Sequence, residues 1–522
     1  MAGPTNRMPG VDGGEKLTRH SSVYWGTNGL AVAVDDVPRV AVADFRNACV
    51  DLCTHGRHLV ALCALPGAKD SADAEILAVL GGDRSGHLGF LRTSLGASRE
   101  YPALTPELPQ AQAFEREMFE TYGIHPRGHP WLKPLRRHAS LDEHTLGDRA
   151  GTPQYPFFRV DGSGVHEVAV GPVHAGIIEP GHFRFQCHGE EVLSLEIRLG
   201  YQHRGAESLF LRSSPARRLV IAESIAGDTA IGHASAYCMA MEGLGGASLP
   251  LSAHSLRGIA LELERLANHI GDLGALAGDI AYLPGASYFG RLRGNFLNLL
   301  LELSGNRHGR GLLSVGGARL GLDAAMRKSF LERLRRDESE LEAVANLMFN
   351  TPSVLSRFEQ TGVVAVQTAR DLGLVGPVAR ASGLQRDVRH DHPAGIFRFA
   401  HIPVTAATSG DVMARALVRW LEVQRSLTFV QKQIRELPEG PLAAKVEAAL
   451  PNRMVVSLVE GWRGEIAHVA VTNEKGQLRG YKIVDPSFHN WFGLSMALRG
   501  NQISDFPVCN KSFNLSYAGH DL

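Results

Sequence analysis

A stripe of polar residues follows Thr229 in the sequence. His233 lies four residues after Thr229, and Tyr237 lies four residues after His233, next to Cys238. Residues four apart lie on the same face of an α-helix, so these side chains are expected to share one face. An imidazole and a phenol in this arrangement can line a polar pocket, although hydrogen-bonded packing is the more common role of buried polar residues. We predict a candidate pocket wall here, with packing as the alternative.

The cysteines do not form a ligand set. Cys49 and Cys53 lie four apart on the apolar face of a predicted helix, and Cys63 lies within the apolar run 59–65. These features favour buried, unreactive thiols over a metal site. An iron-sulfur cluster would need about four clustered cysteines, which this sequence does not have. No nucleotide site is predicted either, because no glycine-rich segment has the lysine of a phosphate loop or the strand and helix of a dinucleotide fingerprint. We therefore expect no cofactor bound by this chain.

Composition favours a large globular protein that recognises partners by shape. The chain has 522 residues, 44% of them hydrophobic, and its 54 Lys and Arg balance its 54 Asp and Glu. This balance gives no electrostatic preference for nucleic acid or for an anionic membrane. The cysteines are few and scattered, which fits a reducing cytoplasm. Charges interrupt each long apolar stretch before about 18 residues, so no direct membrane span is expected. Residues 1–22 lack the apolar core of a signal peptide and are predicted to be a flexible leader.

The pattern of apolar residues predicts two blocks. In block 23–137 it predicts a helix over 44–54, a buried strand over 58–65, a hairpin of strands 74–80 and 88–93, and an amphipathic helix that ends at Gly123. Residues 138–160, rich in polar residues without periodicity, are predicted to be a linker. In block 161–522 it predicts strands over 167–170, 183–187 and 191–198 and long helices over 256–277, 325–348 and 411–437. The predicted fold class is α+β: a small N-terminal α+β domain followed by a mainly helical bundle domain with a small β cap.

Several motifs, in order, carry a family resemblance. Residues 114–130 resemble the signature of the small peripheral-arm subunit of respiratory complex I. Within block 161–522, five segments resemble the large subunit of membrane-bound, energy-converting nickel-iron hydrogenases of the formate-hydrogenlyase type and the related quinone-proximal subunit of complex I (NADH-quinone oxidoreductase): 171–174, 179–184, 200–207, 264–269 and 373–383. The resemblance implies a hydrogenase large-subunit-like fold with the small complex I domain fused at its N-terminus.

Two further segments correspond to those that hold nickel and iron in such hydrogenases. Residues 223–229 and 505–522 are similar to segments that each carry a Cys-x-x-Cys pair. Ala226 and Thr229 occupy the first pair of positions here, and Ser516 and Gly519 the second. Nickel bound in this way needs soft, deprotonated sulfur, which none of these four side chains supplies. The resemblance therefore implies no metal held by this chain and a degenerate nickel-iron site.

The same resemblance assigns candidate roles to several residues. Glu179 matches a glutamate that passes protons to the metal site, and Arg380 matches an arginine near the active cavity. A buried guanidinium needs an anionic partner, which Glu179 or Asp505 could supply. The alternatives are an N-terminal-turn carboxylate for Glu179 and a structural ion pair for Arg380.

His174, His182, His233 and Tyr237 are the candidate lining of a cavity at the former metal site or of a quinone-like pocket. In complex I the corresponding hairpin carries a histidine, paired with a tyrosine, that contacts a quinone headgroup. His174 matches only the earlier histidine of that pattern, and the tyrosine position falls near Gly227.

These expectations lead to a membrane-associated oxidoreductase subunit without its own nickel-iron centre, active in electron transfer coupled to proton or ion movement. The partners implied are a small iron-sulfur subunit that carries the cluster, a ferredoxin-like subunit and antiporter-like membrane subunits, on the cytoplasmic face of the cell membrane. NADH, if the complex uses it, would be bound by another subunit, and a quinone is a candidate ligand. The alternatives are a working nickel-iron hydrogenase with unusual ligands and a non-catalytic scaffold.

Overall fold

The computed structural model describes residues 22–65, 74–82, 85–136, 155–176 and 178–522. The predicted leader, apart from Ser22, and most of the predicted linker 138–160 lie outside these ranges. No helix within the described ranges is both long enough and apolar enough to cross a membrane.

The N-terminal block is an antiparallel sheet with helices packed beside it. Its elements are β1 (Tyr24–Gly26), β2 (Val32–Ala33), β3 (Arg39–Val40), α1 (Val42–Thr54), β4 (His58–Leu65), β5 (Glu75–Gly82), β6 (His87–Ser94), β7 (Glu100–Pro102), α2 (Gln112–Tyr122) and β8 (His125–Arg127). The sheet order is β1-β6-β5-β4, and β3 pairs with β6 in parallel. The predicted helix, buried strand and hairpin are confirmed. Helix α2 ends at Gly123, whose φ of 64° is favourable for glycine and whose N–H donates to the carbonyl of Phe119 at 3.0 Å.

The second block begins with the predicted β cap and continues as helices. Its first elements are β9 (Val165–Val170), β10 (His182–His188), β11 (Glu191–Arg198), α3 (Ala206–Arg212), α4 (Pro215–Ala222), α5 (Ala230–Leu244), α6 (Leu251–Asp279), α7 (Leu283–Ser304), β12 (Leu313–Ser314) and β13 (Gly317–Ala318). The strand order β11-β10-β9 confirms the cap. Helix α6 is the central element of the bundle, because it is buried along most of its length between α7 and other helices.

The rest of the chain completes the bundle and adds a second sheet. These elements are α8 (Ala324–Phe349), α9 (Pro352–Phe358), α10 (Val366–Asp371), α11 (Gly376–Ala381), α12 (Val388–Asp391), α13 (Val412–Arg435), β14 (Arg453–Gly461), β15 (Gly464–Thr472), β16 (Leu478–Val484), α14 (Pro486–Ala497), α15 (Phe506–Phe513) and α16 (Tyr517–His520). The predicted long helices correspond to α6, α8 and α13.

The sheet formed by β14, β15 and β16 was not predicted. Its order is β16-β15-β14-β2, so a strand of the N-terminal block completes it. The Asn28 amide strengthens this contact, since its oxygen accepts from the Leu458 N–H at 2.7 Å and its nitrogen donates to the Leu458 carbonyl at 3.0 Å. Apolar residues of both blocks, such as Leu62 and Val469, belong to one buried cluster. The two predicted domains therefore share a sheet and a core.

Candidate functional site

The two segments that resemble metal-binding segments meet around one cavity. Ala226 and Thr229 immediately precede α5, and Ser516 and Gly519 lie at α16. A cavity of about 530 Å³ is lined by both segments, through Gly227, Asp228, Ser516 and Tyr517 among others. We call it the front cavity. Arg463, in the β14–β15 turn, joins the segments, because its guanidinium donates both to Asp228 and to the carbonyl of Asn514.

The four corresponding positions are each engaged in packing or hydrogen bonding. Ala226 is fully buried and apolar. The Thr229 hydroxyl lies 3.1 Å from Asp228 Oδ1 and accepts from the Trp462 indole N–H at 3.2 Å. The Ser516 hydroxyl accepts the Gly519 N–H at 2.9 Å and so caps α16.

Gly519 lies against a carboxylate. A Cβ at this position would lie 2.5 Å from Asp485 Cγ and less than 3 Å from both carboxylate oxygens. Real Cβ atoms do not approach other atoms this closely, so the Asp485 side chain fills the space that a larger residue at 519 would need.

Asp228 and Arg463 form a bidentate ion pair at the rim of the front cavity. The two guanidinium nitrogens lie 2.6 and 2.8 Å from the two carboxylate oxygens. Burial acts to raise the pKa of Asp228, but the charge and hydrogen bonds of Arg463 outweigh it and lower the pKa below its usual value. The pair therefore holds a carboxylate between the two segments with its charge balanced by the Arg463 guanidinium.

A chain of buried polar side chains leads away from Gly519. His233 Nε2 lies 3.0 Å from Asp485 Oδ2, and His233 Nδ1 lies 3.1 Å from His468 Nε2. His468 Nδ1 lies 2.8 Å from the Tyr481 hydroxyl. Of these residues only His233 was singled out from the sequence. His468 and Tyr481 lie on β15 and β16, two strands that were not predicted from the sequence, so nothing indicated that these residues meet.

Some predicted site residues lie at the front cavity and others do not. Glu179 lines it and accepts the Ala518 N–H at 3.1 Å. His174 lies beside it, with Nε2 3.5 Å from the Tyr517 hydroxyl. His182 instead contacts the Arg184 guanidinium and the Phe157 ring, and the Tyr237 hydroxyl donates to the Pro215 carbonyl at 3.2 Å. The structure thus does not bring the four predicted lining residues together in one pocket.

Arg380 does not have the partners suggested by the sequence. Its guanidinium lies 2.7 Å from Glu460 and 2.7 Å from Glu422, and it is fully buried. Glu179 instead caps the C-terminal segment, and Asp505 lies 3.3 Å from Arg357. The suggested pairing of Arg380 with Glu179 or Asp505 is therefore wrong, because carboxylates of β14 and α13 are closer in the fold.

The buried network around Arg380 is extensive. It also contains Arg265 and Arg389, which pair with Glu262, Glu422 and Asp387. Burial of so many charges is tolerated because each has an opposite charge and hydrogen-bond partners nearby.

Comparisons with known proteins match both blocks. The family model of the 30 kDa subunit of respiratory-chain NADH dehydrogenase matches residues 39–153, and that of the 49 kDa subunit matches residues 279–453. Formate hydrogenlyase subunit 5 of Escherichia coli is 30% identical over 450 residues, which cover 83% of this chain and 79% of the relative. This chain belongs to the hydrogenase large-subunit and complex I 49 kDa family.

Other relatives come from both branches of this family. The carbon monoxide-induced hydrogenase of Rhodospirillum rubrum is 31% identical over 350 residues, 67% of this chain and 97% of the relative. A component of the NADH-quinone oxidoreductase of Thermus thermophilus is 29% identical over 366 residues, 64% of this chain and 89% of the relative. The expected fold class and the fusion of the two complex I-type domains are confirmed. The chain is a large-subunit homologue of the kind found in membrane-associated oxidoreductase complexes.

The residues of this family member do not fit the nickel-iron group of the hydrogenases. The Thr229 and Ser516 hydroxyls are already bound to protein groups, Ala226 has no donor atom, and Asp485 fills the space at Gly519. Among the described residues, no group of three or more His, Cys, Asp or Glu side chains is arranged to hold a metal ion. No soft donor set exists at the four positions.

Proposed function

We propose that this large subunit takes part in electron transfer coupled to proton or ion movement, without a nickel-iron centre of its own. This proposal is supported by the packing or hydrogen bonding of the residues at positions 226, 229, 516 and 519. The strongest support is the contact of the Asp485 carboxylate with Gly519. A site that had only lost its metal would leave free donors, whereas here the Thr229 and Ser516 hydroxyls are hydrogen-bonded to protein groups and Asp485 occupies the space beside Gly519.

The proposed partners are those of a complex I-like assembly. A small iron-sulfur subunit would place its cluster beside the front cavity, and ferredoxin-like and antiporter-like subunits would complete a complex on the cytoplasmic face of the membrane. The front cavity has polar groups suited to a charged or hydrogen-bonding surface, including Glu179, Asp272, Arg293 and Lys511. A quinone is a candidate ligand of the assembled complex, and NADH would be bound elsewhere in it.

The decisive experiment is to isolate the native complex through a tag on this chain. Nickel, iron and the co-purifying polypeptides are measured together, with Escherichia coli formate hydrogenlyase isolated in the same way as the control for metal retention. We expect iron from a partner subunit and no nickel above background. Stoichiometric nickel in the complex would favour a working hydrogenase instead.

A non-catalytic scaffold is separated from the proposal by turnover. The isolated complex, reconstituted in vesicles, is given reduced ferredoxin or NADH, and quinone reduction and proton uptake are recorded. We expect electron-driven proton uptake. A complex that assembles fully but transfers no electrons would support the scaffold.

A further inference from the structure

Asp485, His233, His468 and Tyr481 form an unbroken hydrogen-bonded chain through the protein interior. The three contacts measure 3.0, 3.1 and 2.8 Å. Asp485, His233 and His468 are 0% exposed and Tyr481 is 7% exposed. Each contact is within ordinary hydrogen-bond length, so each can carry a proton from one residue to the next.

One end of this hydrogen-bonded chain borders a cavity, and the other end contacts the short helix that lines a second cavity. Tyr481 lines a cavity of about 540 Å³ at the outer edge of β16, together with Glu117, Glu207 and Lys482. We call this the strand-edge cavity. At the other end Asp485 lies against Gly519, and Ser516 of the same short helix lines the front cavity.

We propose that these residues conduct protons between the strand-edge cavity and the former metal position at Gly519. The proposal rests on the function proposed above and names its proton path. It assigns this part of the proton path to four residues, three of which lie in the C-terminal β-sheet region, and leaves Glu179, which lines the front cavity, as the candidate group beyond Asp485.

The donors and acceptors of the chain fit a single direction. With Asp485 ionised, His233 donates from Nε2 and accepts at Nδ1, so His468 must donate from Nε2 and accept the Tyr481 hydroxyl proton at Nδ1. The electrostatics favour this resting arrangement, in which Tyr481 keeps its proton, His468 is neutral and Asp485 is ionised. Burial, reinforced by His233, lowers the pKa of His468, and burial raises the pKa of Tyr481. Burial also acts to raise the pKa of Asp485, but the hydrogen bonds of His233 and Ser487, together with the charge of Arg463, outweigh it and lower that pKa.

Transfer follows this direction without any change of oxidation state. The Tyr481 phenol proton moves to His468 Nδ1, the His468 Nε2 proton moves to His233 Nδ1, and the His233 Nε2 proton moves to Asp485. The phenolate then takes a proton from water in the strand-edge cavity. Asp485 releases its proton towards the front cavity, and tautomer exchange of the two imidazoles restores the starting arrangement.

The test follows the imidazole protons directly. The full chain is prepared with ¹⁵N-histidine, and the ring N–H signals of His233 and His468 are assigned by their loss in His233→Gln and His468→Gln variants. Exchange of each ring proton with D₂O is then timed in the wild type and in Tyr481→Phe. The matched control is Tyr237→Phe, because the Tyr237 hydroxyl donates to the Pro215 carbonyl and is not part of the hydrogen-bonded chain of Asp485, His233, His468 and Tyr481.

We expect Nε2-protonated tautomers at both histidines in the wild type. We also expect exchange of the His233 proton to slow at least tenfold in Tyr481→Phe and to remain unchanged in Tyr237→Phe. Equal exchange in wild type and Tyr481→Phe, with both variants folded by their thermal unfolding, would overturn the proposal. This measurement needs no turnover, so its failure would leave the proposed electron-transfer function standing.

Discussion

Replacing Gly519 by alanine tests whether Asp485 has taken over the space of the lost ligand. The new Cβ would lie 2.5 Å from Asp485 Cγ, and Gly519 does not have a positive φ, so backbone strain would not contribute. The carboxylate can move away only by weakening its bonds to His233 Nε2 at 3.0 Å and to the Ser487 N–H at 2.8 Å. Hydrogen bonds to charged groups contribute about 1.5–3 kcal/mol each, and overpacking costs about 1–3 kcal/mol.

We therefore expect Gly519→Ala to lower the free energy of unfolding by about 3 kcal/mol, even though alanine favours a helix. Urea unfolding of the full chain, followed by tryptophan fluorescence, measures this change, because the buried Trp491 contacts Tyr517 of the same helix. Gly227→Ala is the matched control in the other former ligand segment, since its Cβ would meet nothing within 4 Å. Its unfolding midpoint should stay close to that of the wild type.

If Gly519→Ala unfolds at the same urea concentration as Gly227→Ala, the reasoning is refuted. That result would mean that the carboxylate adjusts freely and that the space at residue 519 is available to a larger side chain or a ligand.

Three further predictions concern charged side chains. Burial acts to raise the pKa of Glu117, but its two cationic partners outweigh it and lower the pKa from 4.5 to about 2. The stabilisation, on the order of 3 kcal/mol, is therefore present above pH 4.5 and lost as the pH falls to about 2. The urea midpoint of unfolding should accordingly decrease from pH 6 to pH 3 in the wild type and in the control Glu107→Gln. In Glu117→Gln this decrease should be absent. Arg380→Met should cost about 3–5 kcal/mol, because it leaves buried carboxylates with one cation fewer, and an unfolding midpoint equal to that of the exposed Arg370→Met would contradict this. Glu179→Gln should leave stability unchanged, since the amide oxygen can still accept the Ala518 N–H, yet reduce electron-driven proton uptake at least tenfold; unchanged uptake would remove Glu179 from the proton path.

The spacing of apolar residues in the sequence predicted the helices and strands whose apolar pattern is visible within a single segment. The periodic apolar residues of 256–277 correspond to α6, which extends over Leu251–Asp279, and the runs 58–65 and 74–80 correspond to β4 and β5. The sheet of β14, β15 and β16 was missed because its strands are buried along nearly their whole length and show no alternation of apolar and polar residues. Its pairing with β2, more than 400 residues earlier, has no local signal at all.

At the candidate site, too, some features could be predicted from the sequence and others depended on the tertiary structure. Residue types at 226, 229, 516 and 519 were enough to show that no thiolate set can form there, because a missing sulfur is a property of the residue and not of its surroundings. The partners of Arg380 could not be predicted, since Glu422 and Glu460 reach it only when α13 and β14 pack beside α11. The sequence by itself thus determined the family, the long helices, the first sheet and the β cap, and the absence of cysteine at these four positions. Only the tertiary structure decided that Asp485 lies against Gly519 and that His468 and Tyr481 extend the hydrogen-bonded chain from His233. These contacts join residues that are distant in sequence and that packing alone brings together.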